Sequence, residues 1–296
     1  TKGLVDKFGS ERVFDTPLAE DGMTGVAIGA ALAGLRPIHV HIRMDFVLLA
    51  MNQLINMAAK MRYMFGGEVF VPMVVRAIIG KSWGQGAQHS QSIYPLFMNI
   101  PGLKIFAPST PYDAKGCLIQ SIRDNNPVLF IEHRLLYYQR GRVPTESYTV
   151  PFGKARILAK GKDITLVGIS QMVIECLRAR QYLKEIHIDA EIIDPVSLSP
   201  LDINTILDSV LKTKRLMVID NAWMTCGAGA EIVAQLIERN IPIDVVIKRM
   251  GFASVPCPTT PALEQHFYPD AKEIALNAYQ MLFSGKRAWQ PDTELQ

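Results

Sequence analysis

An α/β protein built from two parallel-sheet domains is what this sequence predicts, and three observations carry that expectation. Short β-branched runs alternate with longer helical patterns over the whole length, the order that closes parallel sheets with both faces covered. The 296 residues leave room for two ordinary cores. Between residues 140 and 162 the alternation breaks: RGRVPTESYTVPFGKARILAKGK has two prolines, scattered charge and no helical period, and reads as a linker. The expected domains are therefore residues 1–150 and 151–296.

The strands are expected at residues 37–42, 71–79, 103–107, 128–132, 163–169, 190–193, 215–219 and 243–248. Helices are expected at 22–35, 46–65, 112–123, 172–186, 202–212 and 230–239. The first of these is made almost entirely of small residues. Gly25 and Gly29, four apart, share one face. Such a face suits either tight internal packing or close approach of another subunit. The polar tail after Ser284 is expected to be loosely held.

Hydrophobic residues make up 49% and charged residues 20%, a soluble globular balance. The net charge of +3 is spread along the chain and forms no concentrated basic face, which argues against a nucleic-acid partner. Cys117, Cys176, Cys226 and Cys257 lack zinc-ligand spacing and make a poor disulfide framework, so a reducing compartment is expected. The first residues show no leader pattern. Of the longest apolar stretches, 22–35 is too short to span a bilayer, and 46–59 is broken by Asn52, Gln53 and Asn56. A soluble, intracellular protein follows as the expectation.

Three constellations could carry chemistry. DTPLAEDGMTG places Glu20 just before an apolar, glycine-rich helix. Glu20 or Asp21 there can be a simple helix cap, or a carboxyl group lodged against apolar neighbours that holds and shares a proton. GKSWGQGAQHSQ follows the strong strand VPMVVRAII, and glycine-rich loops at strand ends bind ligands in α/β sheets. His89 stands in that polar loop, a better catalytic candidate than a histidine on a helix face. His39 and His41 alternate along a strand, His133 ends one, and His187 and His266 have ordinary amphipathic surroundings. The third, GAGAE at 227–231, has Ile232 where a dinucleotide fingerprint needs its third glycine, so it reads as a turn into a helix. The sequence holds no Walker loop, HExxH or GxSxG.

The stretches FGSERVFDTPLAEDGMTGVAIGAALAGLRP, NQLINMAAKMRYMFGG, GQGAQHSQ, PGLKIFAPSTPYDAKG, IRDNNPVLFIEH, VPFGKARIL, IDPVSLSPLD and PCPTTPALEQHFYP occur in this order. Together they resemble the beta subunits of pyruvate, branched-chain 2-oxo acid and acetoin dehydrogenases along nearly the whole chain. The resemblance implies a pyrimidine-binding α/β domain followed by a transketolase-type C-terminal domain. It implies thiamine diphosphate as cofactor, with Glu20 on the aminopyrimidine ring nitrogen and Phe46 packed against that ring. His89 is implied to bind cofactor and to act near the reacting carbon, where it meets substrate or a lipoyl arm. A proton shared between Glu20 and the ring nitrogen favours the tautomer that deprotonates the thiazolium. In some members the IRDNNP loop holds a structural potassium ion, which here would fall to Ile122, Asp124 and Asn126; an ordinary turn fits that sequence equally.

The resemblance further implies an α2β2 enzyme. The magnesium and diphosphate are held mainly by a GDG motif in the alpha subunit, and this sequence contains no GDG. The alpha subunit and a lipoyl-bearing acyltransferase are the implied partners, in a bacterial cytoplasm or a mitochondrial matrix. The family carries a further segment ahead of TKGL, with an acidic motif. HIRMDF and GKSWGQG differ from the common pyruvate-enzyme versions, so the sequence does not name the 2-oxo acid. A transketolase-like transfer of a two-carbon ketol unit and a non-catalytic scaffold subunit are the alternatives.

Overall fold

The structure is a computed structural model and describes residues 2–81, 84–283 and 289–291. A short helix α1 (Leu4–Phe8) precedes α2 (Glu20–Leu32), strand β1 (Ile38–His41), a 3-10 helix (Met44–Ala50), a π-helical turn (Gln53–Ala58) and α3 (Ala59–Met64). Next come β2 (Val74–Ile79), α4 (Pro95–Met98), β3 (Lys104–Phe106), α5 (Pro111–Arg123), β4 (Val128–His133) and a 3-10 turn (Arg134–Tyr138). The second half holds β5 (Arg156–Ala159), β6 (Ile164–Gly168), α6 (Met172–Glu185), β7 (Ala190–Asp194), β8 (Ser197–Ser199) and α7 (Ile203–Thr213). It closes with β9 (Arg215–Trp223), α8 (Ala228–Glu238), β10 (Val246–Phe252), α9 (Pro261–Glu264) and α10 (Ala271–Phe283).

Two five-stranded sheets form, in the orders β1-β2-β4-β3-β8 and β10-β9-β6-β7-β5. The pairings are parallel except at one edge of each sheet, where β8 and β5 run antiparallel to β3 and β7. An edge strand can be added antiparallel because only one neighbour constrains it. β6 and β7 are buried at every position, as strands covered on both faces must be.

The predicted single helix over 46–65 is three windings instead. Its buried residues Met44, Val47, Ala50, Leu54 and Ala58 are spaced three, three, four and four apart. A 3-10 helix keeps the three-residue spacing on one face, and the wider π turn does so for the four-residue spacing. Helix α10 was not anticipated, although Ala271, Ile274, Ala275, Ala278 and Tyr279 mark one helical stripe, and Asp270 caps it by accepting from Glu273 N at 2.8 Å. Within the tail, Trp289 packs against Tyr279 at 5.1 Å between ring centroids, so that part is anchored, while residues 284–288 and 292–296 lie outside the described region.

The halves are joined more closely than the linker suggests. One apolar cluster runs from Met44, Tyr94 and Leu129 of the first sheet's layer to Val167, Ile206 and Leu236 of the second. β8, from beyond the linker, completes the edge of the first sheet. Two hydroxyls of the first half donate to buried carboxylates of the second: Tyr94 to Asp220, and Ser109 to Asp194. Burial pushes Asp194 up to about 7; donation from Ser109 and Val196 N opposes that.

This carboxyl makes a signed prediction. The folded chain keeps the Asp194 proton to about pH 7, whereas the unfolded chain releases it near 3.9. Between those values the folded state binds more protons, so the contribution is fully present below the lower value and is lost as pH rises through the upper one. The span corresponds to on the order of 4 kcal/mol. Asp194→Asn removes this dependence. Urea unfolding at pH 5 and pH 8 should show the variant gaining on the native chain at pH 8; equal differences at both pH values would contradict the assignment. His41 and His133, pushed down by burial to about 4 and about 3, act in the opposite sense but are common to both chains.

Candidate functional site

In a parallel sheet the segments that leave the carboxyl ends of the strands gather at one end. β1, β2 and β4 are mutually parallel, so the residues following His41, Ile79 and His133 meet there. These are the 3-10 helix with Phe46, the glycine-rich loop with His89, and the turn opened by Arg134. Helix α2 packs on β1 and on that 3-10 helix, which brings its first turn, with Glu20, to the same end.

Glu20 is the first residue of α2, with Ala19 as cap, so neither Glu20 nor Asp21 is the capping residue. Glu20 is half-buried, and its carboxylate receives no hydrogen bond from the described residues. Its backbone oxygen accepts from the Thr24 hydroxyl at 2.6 Å. Thr24 Oγ1 in turn lies 3.3 Å from His41 Nε2, fastening the start of α2 to the end of β1.

Phe46 and His89 are brought together, edge to face, with ring centroids 5.3 Å apart. Phe46 as a residue remains 36% exposed, so it is not sealed into the core and is open to a flat ligand. Asp45 fixes the pair from below. Its Oδ1 accepts from Gln91 N at 3.1 Å and Gln91 Nε2 at 2.9 Å, tying the loop of His89 to the helix of Phe46. Burial raises the Asp45 pKa, and the bonds from Gln91 and the proximity of His89 pull against it. Sequence reading missed Asp45, although its place directly before Phe46 was visible.

The three glycines of the loop each answer a close approach. A Cβ on Gly80 would sit 2.1 Å from His133 Nε2, and Gly80 has φ of +93°. Gly84 and Gly86 run against the backbone oxygen and hydroxyl of Thr259, which belongs to PCPTTP in the second half. Arg134 braces the loop as well, donating to Gln85 Oε1 at 2.6 Å and Gly80 O at 3.3 Å. The loop is thus clamped between the halves, which no local motif reveals. Ser82 and Trp83 of the same segment lie outside the described residues.

Residues 122–126 stand apart from this site. The Arg36 guanidinium donates to Ile122 O and Asp124 O, both at 2.8 Å, and to Asn125 Oδ1 at 2.6 Å. Lys104 pairs with Asp124 Oδ2, and Asp124 Oδ1 accepts from Asn126 N and Nδ2. The oxygens that a potassium ion would coordinate already face cationic or amide donors. Among the described residues, no group of His, Cys, Asp or Glu side chains is arranged to hold a metal, and no helix is long and apolar enough to cross a membrane. All four cysteines are free thiols.

Gly25 and Gly29 do not serve internal packing: a Cβ on either would meet nothing within 4 Å. That face of α2 is turned outward, so the internal-packing reading is set aside. At 227–231, Gly227 caps α8, and a Cβ there would meet Trp223 O at 2.4 Å. Gly229 N donates to Asp220, so the turn is structural.

Residues 1–139 match the family "Transketolase, pyrimidine binding domain", and residues 153–274 match "Transketolase, C-terminal domain". The acetoin:2,6-dichlorophenolindophenol oxidoreductase subunit beta of Cupriavidus necator is 45% identical over 287 residues, 97% of this chain and 85% of that protein. The pyruvate dehydrogenase E1 component subunit beta of Porphyra purpurea is 45% identical over 266 residues, 90% of this chain and 80% of the relative. The mitochondrial subunit beta-1 of Arabidopsis thaliana is 40% identical over 97% of this chain and 80% of its own length. A solved structure described as a split gene transketolase, inactive beta4 tetramer, shares the fold with a TM-score of 0.77 at 22% identity, covering 97% of this chain and 90% of the other. With two transketolase-type domains in order and relatives of this identity along almost its whole length, the chain belongs to the beta-subunit family of the thiamine-diphosphate-dependent pyruvate and acetoin dehydrogenases.

Proposed function

We propose that this chain, with an alpha subunit, forms an α2β2 enzyme that releases an acyl group from a 2-oxo acid such as pyruvate, or from acetoin, and passes it to a lipoyl-bearing acyltransferase. One observation carries the reading most directly. The ring of the partly exposed Phe46 and the imidazole of His89 touch at the sheet end that also receives Glu20, whose carboxylate has no partner among the described residues. An aminopyrimidine needs an apolar face to lie on and an acid for its ring nitrogen. Phe46 and Glu20 are of the right kinds, so these residues fit the cofactor. Residues 1–150 supply this pyrimidine side, and residues 151–296 close over the loop through Thr259.

Thiamine diphosphate, when bound, supplies an acidic thiazolium carbon and an electron sink for cleavage beside a carbonyl. Glu20 holds the proton shared with the ring nitrogen. Phe46 orients the ring, and Asp45 keeps Phe46 and His89 in register. His89 faces the substrate side, where an imidazole can give a proton to a dithiolane sulfur or steady an oxyanion. Magnesium and the diphosphate fall to the alpha subunit. A potassium ion at Ile122, Asp124 and Asn126 would compete with Arg36. The free thiols suit a bacterial cytoplasm or a mitochondrial matrix, both reducing.

The test uses the chain alone, and then with the alpha subunit that co-purifies from the native source, on pyruvate and on acetoin. Turnover is expected only in the complex; robust turnover by the isolated chain would overturn the reading. In the complex, His89→Ala should keep thiamine diphosphate affinity within a few-fold and lower lipoyl-dependent turnover by roughly two orders of magnitude. A loss of affinity equal to the loss of turnover would make His89 a brace for the loop instead.

A further inference from the structure

A cleft of about 400 Å³ lies between the two halves and takes no part in the reading above. That volume is within the range of small-molecule pockets, roughly 300–1,000 Å³. Its walls come from three places: Lys81 with the 3-10 turn that follows β4, the first turns of α6, and the residues that lead into α10. Leu135, Leu136 and Met172 give it an apolar side.

Four charged side chains line the same cleft: Lys81, Glu175, Arg178 and Asp270. Two of them satisfy each other. Arg178 donates to Glu175 Oε1 at 2.9 Å, and Gln171 Nε2 donates to the same oxygen at 2.8 Å. Lys81 and Asp270 are left over, and neither forms an ion pair among the described residues. Lys81 Nζ stands 5.0 Å from the centroid of the Tyr268 ring, two residues from Asp270. Asp270 Oδ1 caps α10 by accepting from Glu273 N at 2.8 Å, while Oδ2 accepts no hydrogen bond from the described residues. The cleft therefore offers one uncommitted ammonium, one uncommitted carboxylate oxygen and an aliphatic wall. A simple anion would leave Asp270 uncompensated beside it, and a simple cation would do the same to Lys81. A zwitterion with an aliphatic tail answers all three.

Lys81 joins this cleft to the loop of His89. The residue before it, Gly80, has φ of +93° and lies against the His133 ring, and its carbonyl accepts from Arg134 at 3.3 Å. Lys81 also belongs to GKSWGQG, one of the two segments that differ from the common pyruvate-enzyme versions. The other walls of the cleft, α6 and the lead into α10, belong to the second half, where the two helices pack on each other.

We propose that this cleft is a regulatory site for an α-amino acid with an aliphatic side chain. The ligand's carboxylate meets Lys81, its ammonium meets Asp270, and its side chain lies on Leu135, Leu136 and Met172. Bound there, it bridges the start of the glycine-rich loop to the second half, beside the clamp that Thr259 already makes, and so holds His89 more firmly. The binding does not depend on the function proposed above; its effect on turnover rests on that reading.

L-leucine is titrated onto the full chain by calorimetry, alongside three compounds that each lack one element: 4-methylpentanoate without the ammonium, 3-methylbutylamine without the carboxylate, and glycine without the tail. Leucine should bind with a Kd of about 1 mM or below. The other three should bind at least about ten-fold more weakly, the worth of a hydrogen bond to a charged group or of a buried aliphatic tail. Lys81→Met and Asp270→Asn should each weaken leucine by a similar factor. Asparagine still caps a helix, so Asp270→Asn should keep the native melting temperature. No binding of leucine at about 10 mM overturns the proposal. So does 4-methylpentanoate binding as tightly as leucine, or leucine binding equally to the native chain and both variants. In the complex with the alpha subunit, leucine should raise kcat by roughly two- to five-fold with KM unchanged, and Asp270→Asn should abolish the rise. Binding with no change in kcat, or a rise in KM alone, overturns the regulatory role. A complex that turns over neither pyruvate nor acetoin defeats the function proposed above, while the calorimetry still decides whether the cleft takes a zwitterion.

Discussion

Glu20→Gln should fold and assemble as the native chain does, yet slow hydrogen–deuterium exchange at the thiazolium carbon of bound thiamine diphosphate by roughly two to four orders of magnitude. The structural grounds for intact folding are specific. The backbone oxygen of Glu20, which accepts from Thr24, is unchanged by the substitution. The side chain gives up no hydrogen bond to the described residues. The loss at the helix start is limited to the favourable meeting of an anion with the α2 dipole, about 0.3–1 kcal/mol. The chemical loss is large because an amide cannot pass a proton to a ring nitrogen. Exchange is measured in the complex with the alpha subunit, with the melting temperature as a control. An exchange rate like that of the native complex would remove Glu20 from the chemistry.

Gly102→Ala should have the largest effect on stability. Gly102 has φ of +94°, and a Cβ on it would lie 2.0 Å from Ala59 O. The obstacle is backbone, which cannot swing aside as a long side chain can. Both the left-handed conformation and the overlap must be relieved by moving α3 away from residues 100–103, at a cost of about 4 kcal/mol. For a chain of this size that corresponds to a melting temperature lower by roughly 6 °C. Differential scanning calorimetry of the variant checks it. Gly25→Ala is the control, since nothing lies within 4 Å of its added methyl and alanine is the better helix former. A change at Gly102 no greater than at Gly25 would mean that the approach of the two backbones is not a constraint.

Much of the candidate site was legible because the chemistry proposed for it needs particular residue types at particular places along the chain. Glu20 before a glycine-rich helix, and His89 in a glycine-rich loop after the strand ending at Ile79, leave local marks. Phe46 was reached through the family resemblance, since an aromatic at a helix start is ordinary on its own. What holds these residues was less legible. Asp45 is an unremarked carboxylate until its bonds to Gln91, 46 residues away, are seen. The role of Thr259 depends on the second half folding back over Gly84 and Gly86.

By itself, the sequence determined the α/β alternation, the two transketolase-type halves and the segments that carry Glu20, Phe46 and His89. The alternation rests on hydrophobic period, and the marks of Glu20 and His89 on residue chemistry, both properties of short windows, whereas the transketolase-type halves and Phe46 came through the family resemblance. Only the tertiary structure decided that β8 closes the first sheet from beyond the linker, and that Arg36 takes up the oxygens of the loop at 122–126. It also decided that the glycine face of α2 turns outward and that Thr24 and His41 fasten the start of α2 to the end of β1. Each of these depends on the relative placement of elements distant in sequence. That placement is set by how complete layers pack against one another, and a local pattern does not record what will be packed against it.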